Sequence, residues 1–311
     1  LEGESLIAAV RRPAFAHEWV EYPGTLPGQV VERLRGAAVA ITNKVPLDAT
    51  AIAALPELKM IAVSATGTNN VDLAACRGRG IVVSNIRGYA GHTVPEHVMA
   101  LLLALSRNLV AWRETLLAGA WQQSRQFCLF DHPIRDLHGA TLGLIGSGTL
   151  GNGVARLAEA FGMRVLRAER KGAATVRPGY TAFADVLAEA DAISLHCPLT
   201  PETTGLIGEA ELQAMKPSAL LINTARGPVV NEAALINAMQ TGHLEGAGLD
   251  TFDTEPLPAG HAFWSHPRIT ITPHTSARTL REESIAQIAG KIGALERGEA
   301  IAGIVDPARG Y

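Results

Sequence analysis

Thr141-Leu142-Gly143-Leu144-Ile145-Gly146-Ser147-Gly148-Thr149-Leu150-Gly151 decides the fold. Its first five residues are an apolar run of strand length, and the glycines follow in a GxGxxG arrangement that opens a helix. A lone glycine pattern carries little weight, but between a strand and a helix it has a physical purpose. Gly146 permits the tight turn, Gly148 lets backbone approach a pyrophosphate, and Gly151 allows close helix–strand packing. The helix N-terminus then turns unpaired N–H groups toward phosphate oxygens. A plain glycine turn in a βα unit is the competing reading, and the context weighs against it.

Working outward, strands are expected at Thr141–Ile145, Arg164–Ala168, Ala192–His196, Leu220–Asn223, Ala247–Asp250 and Arg268–Thr272. Helices fall between them at Leu150–Phe161, Phe183–Ala190, Glu209–Met215 and Glu232–Gln240. Upstream, strand patterns at Ala38–Thr42, Met60–Ala65 and Ile81–Asn85 alternate with helical ones at Gln29–Arg35, Ala49–Leu55 and Leu73–Arg79. Pro95 opens a further helix to Arg107, since proline is tolerated in a first turn. Strands alternating with helices predict an α/β protein with two doubly wound parallel-sheet domains, one flavodoxin-like and one a Rossmann dinucleotide-binding domain. The final helical stretch, Leu280–Arg297, has no strand after it and is expected to cross back onto the first domain. The expected division is 1–104 with 282–311 for the first domain and 105–281 for the second. An arm at 109–138 carries Trp112, Trp121, Phe127, Leu129 and Phe130 and reads as a subunit interface rather than as side chains packed on their own domain.

Composition narrows the function. The 311 residues carry a net charge of -3, with 47% hydrophobic and 18% charged residues. No broad basic field exists for nucleic acid. The longest apolar run, Val98 to Leu105, is far short of the roughly 20 residues a membrane span needs. Cys76, Cys128 and Cys197 show no CxxC spacing, and no HExxH or carboxylate cluster suggests a metal. A cytoplasmic protein with neither nucleic-acid nor membrane partner is expected, and no signal-peptide pattern opens the chain.

Chemistry-bearing residues gather after strand ends in the second half. Arg226 follows the fourth strand of the Rossmann half, before the bend Gly227-Pro228. Its planar guanidinium suits a carboxylate and would polarise a neighbouring ketone. Glu255 follows the fifth strand and His274 closes the sixth in Thr272-Pro273-His274. Reduction of a ketone needs a proton donor at oxygen, which histidine supplies, and a carboxylate on the ring would hold its tautomer. Glu169 lies 18 residues after Gly151, near the roughly 20 expected for the acid that takes the ribose hydroxyls of NAD. Arg170 and Lys171 cut the other way, because a basic pair could hold the 2′-phosphate of NADP. NAD(H) is favoured.

Together these residues resemble the D-isomer-specific 2-hydroxyacid dehydrogenases over almost the whole chain. His196-Cys197-Pro198-Leu199-Thr200-Pro201-Glu202-Thr203 is similar to the family's loop beside the nicotinamide. The resemblance implies Arg226, Glu255 and His274 as catalytic residues and Asp250 on the nicotinamide side. It also implies cofactor contacts from Gly146, Gly148, Thr149, Leu150, Gly151, Glu169, Cys197, Pro198, Thr203, Thr224, Ala225, Arg226, Asp250, His274 and Ala277. Thr66 and Gly67, in Ala65-Thr66-Gly67-Thr68-Asn69-Asn70-Val71-Asp72, match the loop whose amides take a substrate carboxylate, together with Arg226. Gly88–His97 and Gln126-Phe127-Cys128 look most like the glycerate dehydrogenases, which reduce hydroxypyruvate or glyoxylate. A dehydrogenase for lactate or phosphoglycerate is the nearest alternative, and a non-catalytic NAD-sensing corepressor the alternative from another class. A homodimer is expected from the family's habit. Two departures stand out: the family carries a strand before the point where Leu1 stands, and its aspartate after the second strand is Glu169 here.

Overall fold

The computed structural model describes residues 12–277 and 282–306. Chain contacts divide the protein into two compact units, one running to Ala90 and resuming after Ala277, the other spanning Gly91–Ala277.

In the first unit a 3-10 turn at Pro27–Gln29 runs into α1 (Val30–Arg33), followed by β1 (Val39–Thr42), α2 (Ala49–Ala53), β2 (Met60–Val63), α3 (Leu73–Gly78) and β3 (Val82–Asn85). Asp48 starts α2 by accepting the Ala51 N–H at 2.7 Å, and Asp72 starts α3 by accepting that of Ala75 at 2.9 Å. A short side-chain acceptor at the cap takes a helix N–H that has no intrahelical partner. The three strands are parallel in the order β1-β2-β3, with Met60 opposite both Val39 and Val82. β2 is buried along its length, as a central parallel strand covered on both faces must be.

The second unit opens with α4 (Ala90–Ser106), α5 (Leu109–Leu117) and α6 (Ala120–Gln123). It continues through β4 (Thr141–Ile145), α7 (Thr149–Ala160), β5 (Arg164–Arg167), α8 (Phe183–Glu189), β6 (Ala192–Leu195), α9 (Glu209–Ala214), β7 (Leu220–Asn223), α10 (Glu232–Gln240), β8 (Gly246–Leu249) and β9 (Ile269–Ile271). Six parallel strands run in the order β5-β4-β6-β7-β8-β9. The order reverses at β4, and ligands in open sheets bind beyond the carboxyl ends of strands at such a point. Ile193, Leu195, Leu221, Leu249, Val186 and Phe263 belong to one core under this sheet. Burial of such side chains stabilises by roughly 1.5–3 kcal/mol each.

Two sequence expectations need correction. The helix expected from Pro95 begins at Ala90 and carries Pro95 inside it. Proline cannot return a hydrogen bond to Gly91 four residues back. Its ring instead packs where Gly153 has no side chain: a Cβ there would lie 2.6 Å from Pro95 Cγ. That helix also belongs with the second unit, so the boundary falls near residue 90 rather than 104. The cause is close packing on β8, where a Cβ on Gly248 would meet Leu101 at 3.1 Å and Leu105 at 3.4 Å.

The last helix, α11 (Glu282–Glu296), returns to the first unit, where Ile288 and Ile292 share a core with Met60, Ala62 and Ile86. Leu280 and the residue after it, at the expected start of this helix, lie outside the described residues, as do 1–11 and 307–311 of the expected first domain. Among the described residues no single helix is long and apolar enough to cross a membrane.

Candidate active site

The glycine loop after β4 is shaped by contacts that exclude any side chain. Gly146 has φ +100, and a Cβ there would stand 2.6 Å from the Cys197 amide nitrogen. Gly151 is tighter still, with a Cβ only 2.1 Å from the Gly146 carbonyl oxygen. Gly148 differs, because a Cβ there would meet nothing within 4 Å. Its backbone is therefore open to an incoming group. Gly148 also caps α7 without any side-chain acceptor, which leaves the first-turn N–H groups, Thr149 and Leu150 among them, for an anion. Asn152 holds the loop by donating to the Ser147 carbonyl at 3.0 Å. These are the features a dinucleotide pyrophosphate requires.

The segment after β6 lies against this loop. His196 N donates to the Ile145 carbonyl at 2.7 Å, and the Thr203 hydroxyl donates to the Pro198 carbonyl at 2.7 Å. Thr203 Oγ1 also accepts the Thr200 N–H at 2.8 Å, so Cys197 and Pro198 sit in a closed turn. Burial pushes His196 down to about 4 and Cys197 up to about 11. At neutral pH the first is an uncharged imidazole and the second an inert thiol.

At the end of β5, Glu169 is engaged with its own loop. Its carboxylate accepts Arg177 Nε at 2.6 Å and Nη2 at 2.8 Å, and the Arg170 and Arg177 amides at 2.8 and 3.2 Å. The Arg177 guanidinium is the main cause that holds Glu169 at about 2, helped by those amides. The carboxylate expected to take ribose hydroxyls thus already has four donors.

β7, β8 and β9 are neighbours, with Asn223 opposite Leu249 and Leu249 opposite Ile271. Their carboxyl ends therefore carry Arg226, Asp250 and His274 to one edge of the sheet. Asn223 shapes the first turn by accepting the Ala225 N–H at 3.0 Å and donating to the Arg226 carbonyl at 2.9 Å. Arg226 Nη1 donates to the Ala225 carbonyl at 2.6 Å. Gly227 then packs directly on the next loop: a Cβ there would lie 2.0 Å from the Phe252 carbonyl carbon. Three residues on, Glu255 accepts the Phe252 N–H at 3.0 Å and meets His274 Nδ1 at 2.6 Å with its other oxygen. Each of these two side chains is about a third exposed, at 34% and 29%. The arginine turn, the carboxylate and the imidazole are thus joined by contact.

Asp250, fully buried, holds the loop that presents the imidazole. Its oxygens accept the Thr272 hydroxyl at 2.6 Å and the Thr275 and Ser276 amides at 2.8 and 2.9 Å. Between them His274 stands at φ 52, a left-handed conformation that non-glycine residues rarely adopt unless the surroundings impose it. His97 from α4 completes the group, its Nε2 at 2.9 Å from the Thr272 hydroxyl oxygen and 3.7 Å from Asp250 Oδ1. Ala277 follows this loop, half-buried.

Thr224 and Thr251, like Ser84 and Thr93, each bury a hydroxyl that has no partner among the described residues; the first two lie at the ends of β7 and β8, where such a hydroxyl suits a bound ligand. Thr66 and Gly67 lie past the carboxyl end of β2 in the first unit, where Asn85 Nδ2 donates to the Thr66 carbonyl at 2.6 Å and Thr66 Oγ1 donates to the Ile86 carbonyl. Sequence reasoning assigned no role to His97, Thr272 or Arg177. The Thr272–Pro273–His274 strand end gave a local signal for the second. His97 acts across 175 residues, and Arg177 reaches Glu169 across an eight-residue loop whose irregular course no helix or strand period marks.

Residues 99–276 match the family model described as D-isomer specific 2-hydroxyacid dehydrogenase, NAD binding domain. The chain is similar to a glycerate dehydrogenase of Methylorubrum extorquens, 47% identical over 279 residues, which cover 89% of this chain and 88% of that one. It is similar to a glyoxylate reductase of Thermococcus litoralis, at 36% identity over 90% of this chain and 87% of the other. Among solved structures it resembles the TT0316 protein of Thermus thermophilus, with a TM-score of 0.80, 39% identity, and coverage of 91% and 90%.

Proposed function

The chain belongs to the D-isomer-specific 2-hydroxyacid dehydrogenases, NAD-dependent oxidoreductases, and from that premise we propose that it reduces hydroxypyruvate or glyoxylate, and in reverse oxidises glycerate. The observation that carries the catalytic reading is the 2.6 Å contact between Glu255 and His274 on the loop joined to the Arg226 turn. The similarity to a glycerate dehydrogenase and a glyoxylate reductase supports the substrate class.

In this reading Arg226 binds the carboxylate of the 2-oxo acid and draws electron density from the adjacent carbonyl. His274 donates its proton to the carbonyl oxygen, so that C2 becomes an alcohol carbon, secondary from hydroxypyruvate and primary from glyoxylate, as the C=O double bond becomes a C–O single bond. Reduced nicotinamide, when bound, supplies the hydride for C2. Glu255 holds the imidazole by Nδ1, which leaves Nε2 as the nitrogen that serves the substrate. Asp250 fixes the loop. The glycine loop with the α7 N-terminus is the proposed pyrophosphate seat, with Cys197, Pro198, Thr203, Thr224, Ala225 and Ala277 beside it. Thr66 and Gly67 enter as substrate-binding residues on the strength of their motif.

We further propose a homodimer assembled through the arm at 109–138, where Leu117, Trp121, Phe127, Phe130 and Ile134 are exposed at 71, 53, 90, 80 and 60%. Large apolar side chains at such exposure mark interfaces. Three free cysteines support a reducing cytoplasmic setting. The test is oxidation of NADH by the purified protein with hydroxypyruvate, glyoxylate, pyruvate and phosphohydroxypyruvate. Turnover should be fastest with the first two. Faster turnover of pyruvate would move the substrate to lactate, and cofactor binding without turnover of any would favour the sensor reading.

A further inference from the structure

Four features at the end of β5 bear on which dinucleotide this chain accepts. Glu169 sits where a carboxylate would take the ribose hydroxyls of the cofactor and repel a phosphate. An ionised carboxylate offers about four lone-pair positions, and here four N–H groups from Arg170 and Arg177 occupy them. The bond to Arg177 is bidentate, the geometry in which guanidinium and carboxylate hold each other best. Little acceptor capacity is left for a sugar, and the negative charge is neutralised in place.

Arg177 is itself fastened. Its guanidinium carbon lies 4.0 Å from the centre of the Tyr180 ring. The Tyr180 hydroxyl is 2.7 Å from Ser147 Oγ in the glycine loop. The loop is closed underneath, because Glu169 N donates to Thr181 and Thr181 N to Arg167, both at 2.8 Å. A continuous run Glu169–Arg177–Tyr180–Ser147 therefore ties this cation to the proposed phosphate seat. Nη1 of Arg177 takes no part in the pair, and the side chain is 53% exposed.

The neighbouring charges leave a positive excess. Lys171 is matched by Glu211 at 2.8 Å. Arg170 is exposed, and its guanidinium has no bonded partner among the described residues. Once Glu169 and Arg177 cancel, Arg170 remains as an uncompensated cation beside the ribose position.

We propose that the end of β5 is a receptor for a 2′-phosphorylated ribose, so that the chain binds NADPH as well as NADH. Arg170 is the principal phosphate ligand, Nη1 of Arg177 the second, and Glu169 a positioning residue that holds Arg177 rather than a ribose acceptor. The inference rests on the family's use of a nicotinamide dinucleotide and extends it to the second form.

Calorimetric titration of the full chain with NADH, NADPH and adenosine 2′,5′-bisphosphate, without substrate, tests it. NADPH should bind within about tenfold of NADH, because a carboxylate already neutralised excludes no phosphate. Arg170→Ala, an exposed change, should weaken NADPH and the bisphosphate by about tenfold or more and leave NADH within roughly twofold. Wild-type preference for NADH by more than tenfold would overturn the inference alone, as would Arg170→Ala shifting both dinucleotides equally or neither. Failure of both to bind would overturn it together with the cofactor reading on which it rests.

Discussion

Replacing Asp250 by alanine should damage folding and turnover together. The buried carboxylate accepts the Thr272 hydroxyl and the Thr275 and Ser276 amides between 2.6 and 2.9 Å. Hydrogen bonds to a charged group contribute roughly 1.5–3 kcal/mol each, and an abandoned buried donor costs about 1–3 kcal/mol. Ser276 is buried and keeps its penalty, while the exposed Thr275 amide recovers water. Removing the charge also removes the cost of its desolvation, which offsets part of the loss. The net destabilisation should be about 2–4 kcal/mol, a large part of the roughly 5–15 kcal/mol that holds an ordinary domain. Freed from the clamp, the backbone at His274 should leave φ 52 for an ordinary conformation. A displacement of about 1 Å costs on the order of a hundredfold in rate. Urea unfolding, fitted as two transitions because the chain has two compact units, would report the first quantity. Turnover at saturating NADH and oxo acid would report the second. A shift under about 1 kcal/mol with turnover within about threefold of wild type would refute the clamp.

Other outcomes follow from single contacts. Gly227→Ala forces a Cβ to 2.0 Å from the Phe252 backbone, and should cost about 1–3 kcal/mol and lower turnover; normal thermal melting and activity would contradict the packing. Arg226→Ala should lose about 2–5 kcal/mol in kcat/KM, with Arg226→Lys recovering only part because the planar fork is gone; equal recovery by lysine would argue against a bidentate carboxylate contact. His196, lowered from 6.5 to about 4 by burial, is one pH-sensitive group. Between those pH values the unfolded chain binds a proton that the folded chain refuses, so stability should fall as pH falls. The His196 share of the slope should approach 1.4 kcal/mol per pH unit, about one proton's worth, and be missing from the slope of His196→Gln; the same slope in that variant would exonerate the residue.

The sheet frame was legible because parallel strands buried on both faces must read as apolar runs, and β6, β7 and β8 do. The glycine loop was legible because the spacing of its glycines between an apolar run and a helix is itself a local pattern, although the contact that demands Gly146 comes from Cys197, 51 residues on. Strand ends pointed to Arg226, Glu255 and His274 because the carboxyl edge is one line in a parallel sheet. What stayed hidden depends on distance along the chain. The start of α4 at Ala90 follows from a gap at Gly153, 58 residues after Pro95, which no propensity of the helix itself reveals. Arg177 lies eight residues from Glu169 in an irregular loop, and only the folded return at Thr181 brings it to that carboxylate. His97 carried a family resemblance within Gly88–His97, but its partner Thr272 lies 175 residues away and no sequence period links the two. The left-handed backbone of His274 has no sequence signature, for a buried acid 24 residues earlier imposes it.

Proton donation by His274 is the claim on which the catalytic account stands. Turnover of hydroxypyruvate by His274→Gln at saturating NADH, with NADH affinity measured on the same sample, tests it without intermediaries. The account expects turnover to fall by about a hundredfold to ten-thousandfold while cofactor affinity holds. Turnover within about threefold of wild type would contradict it.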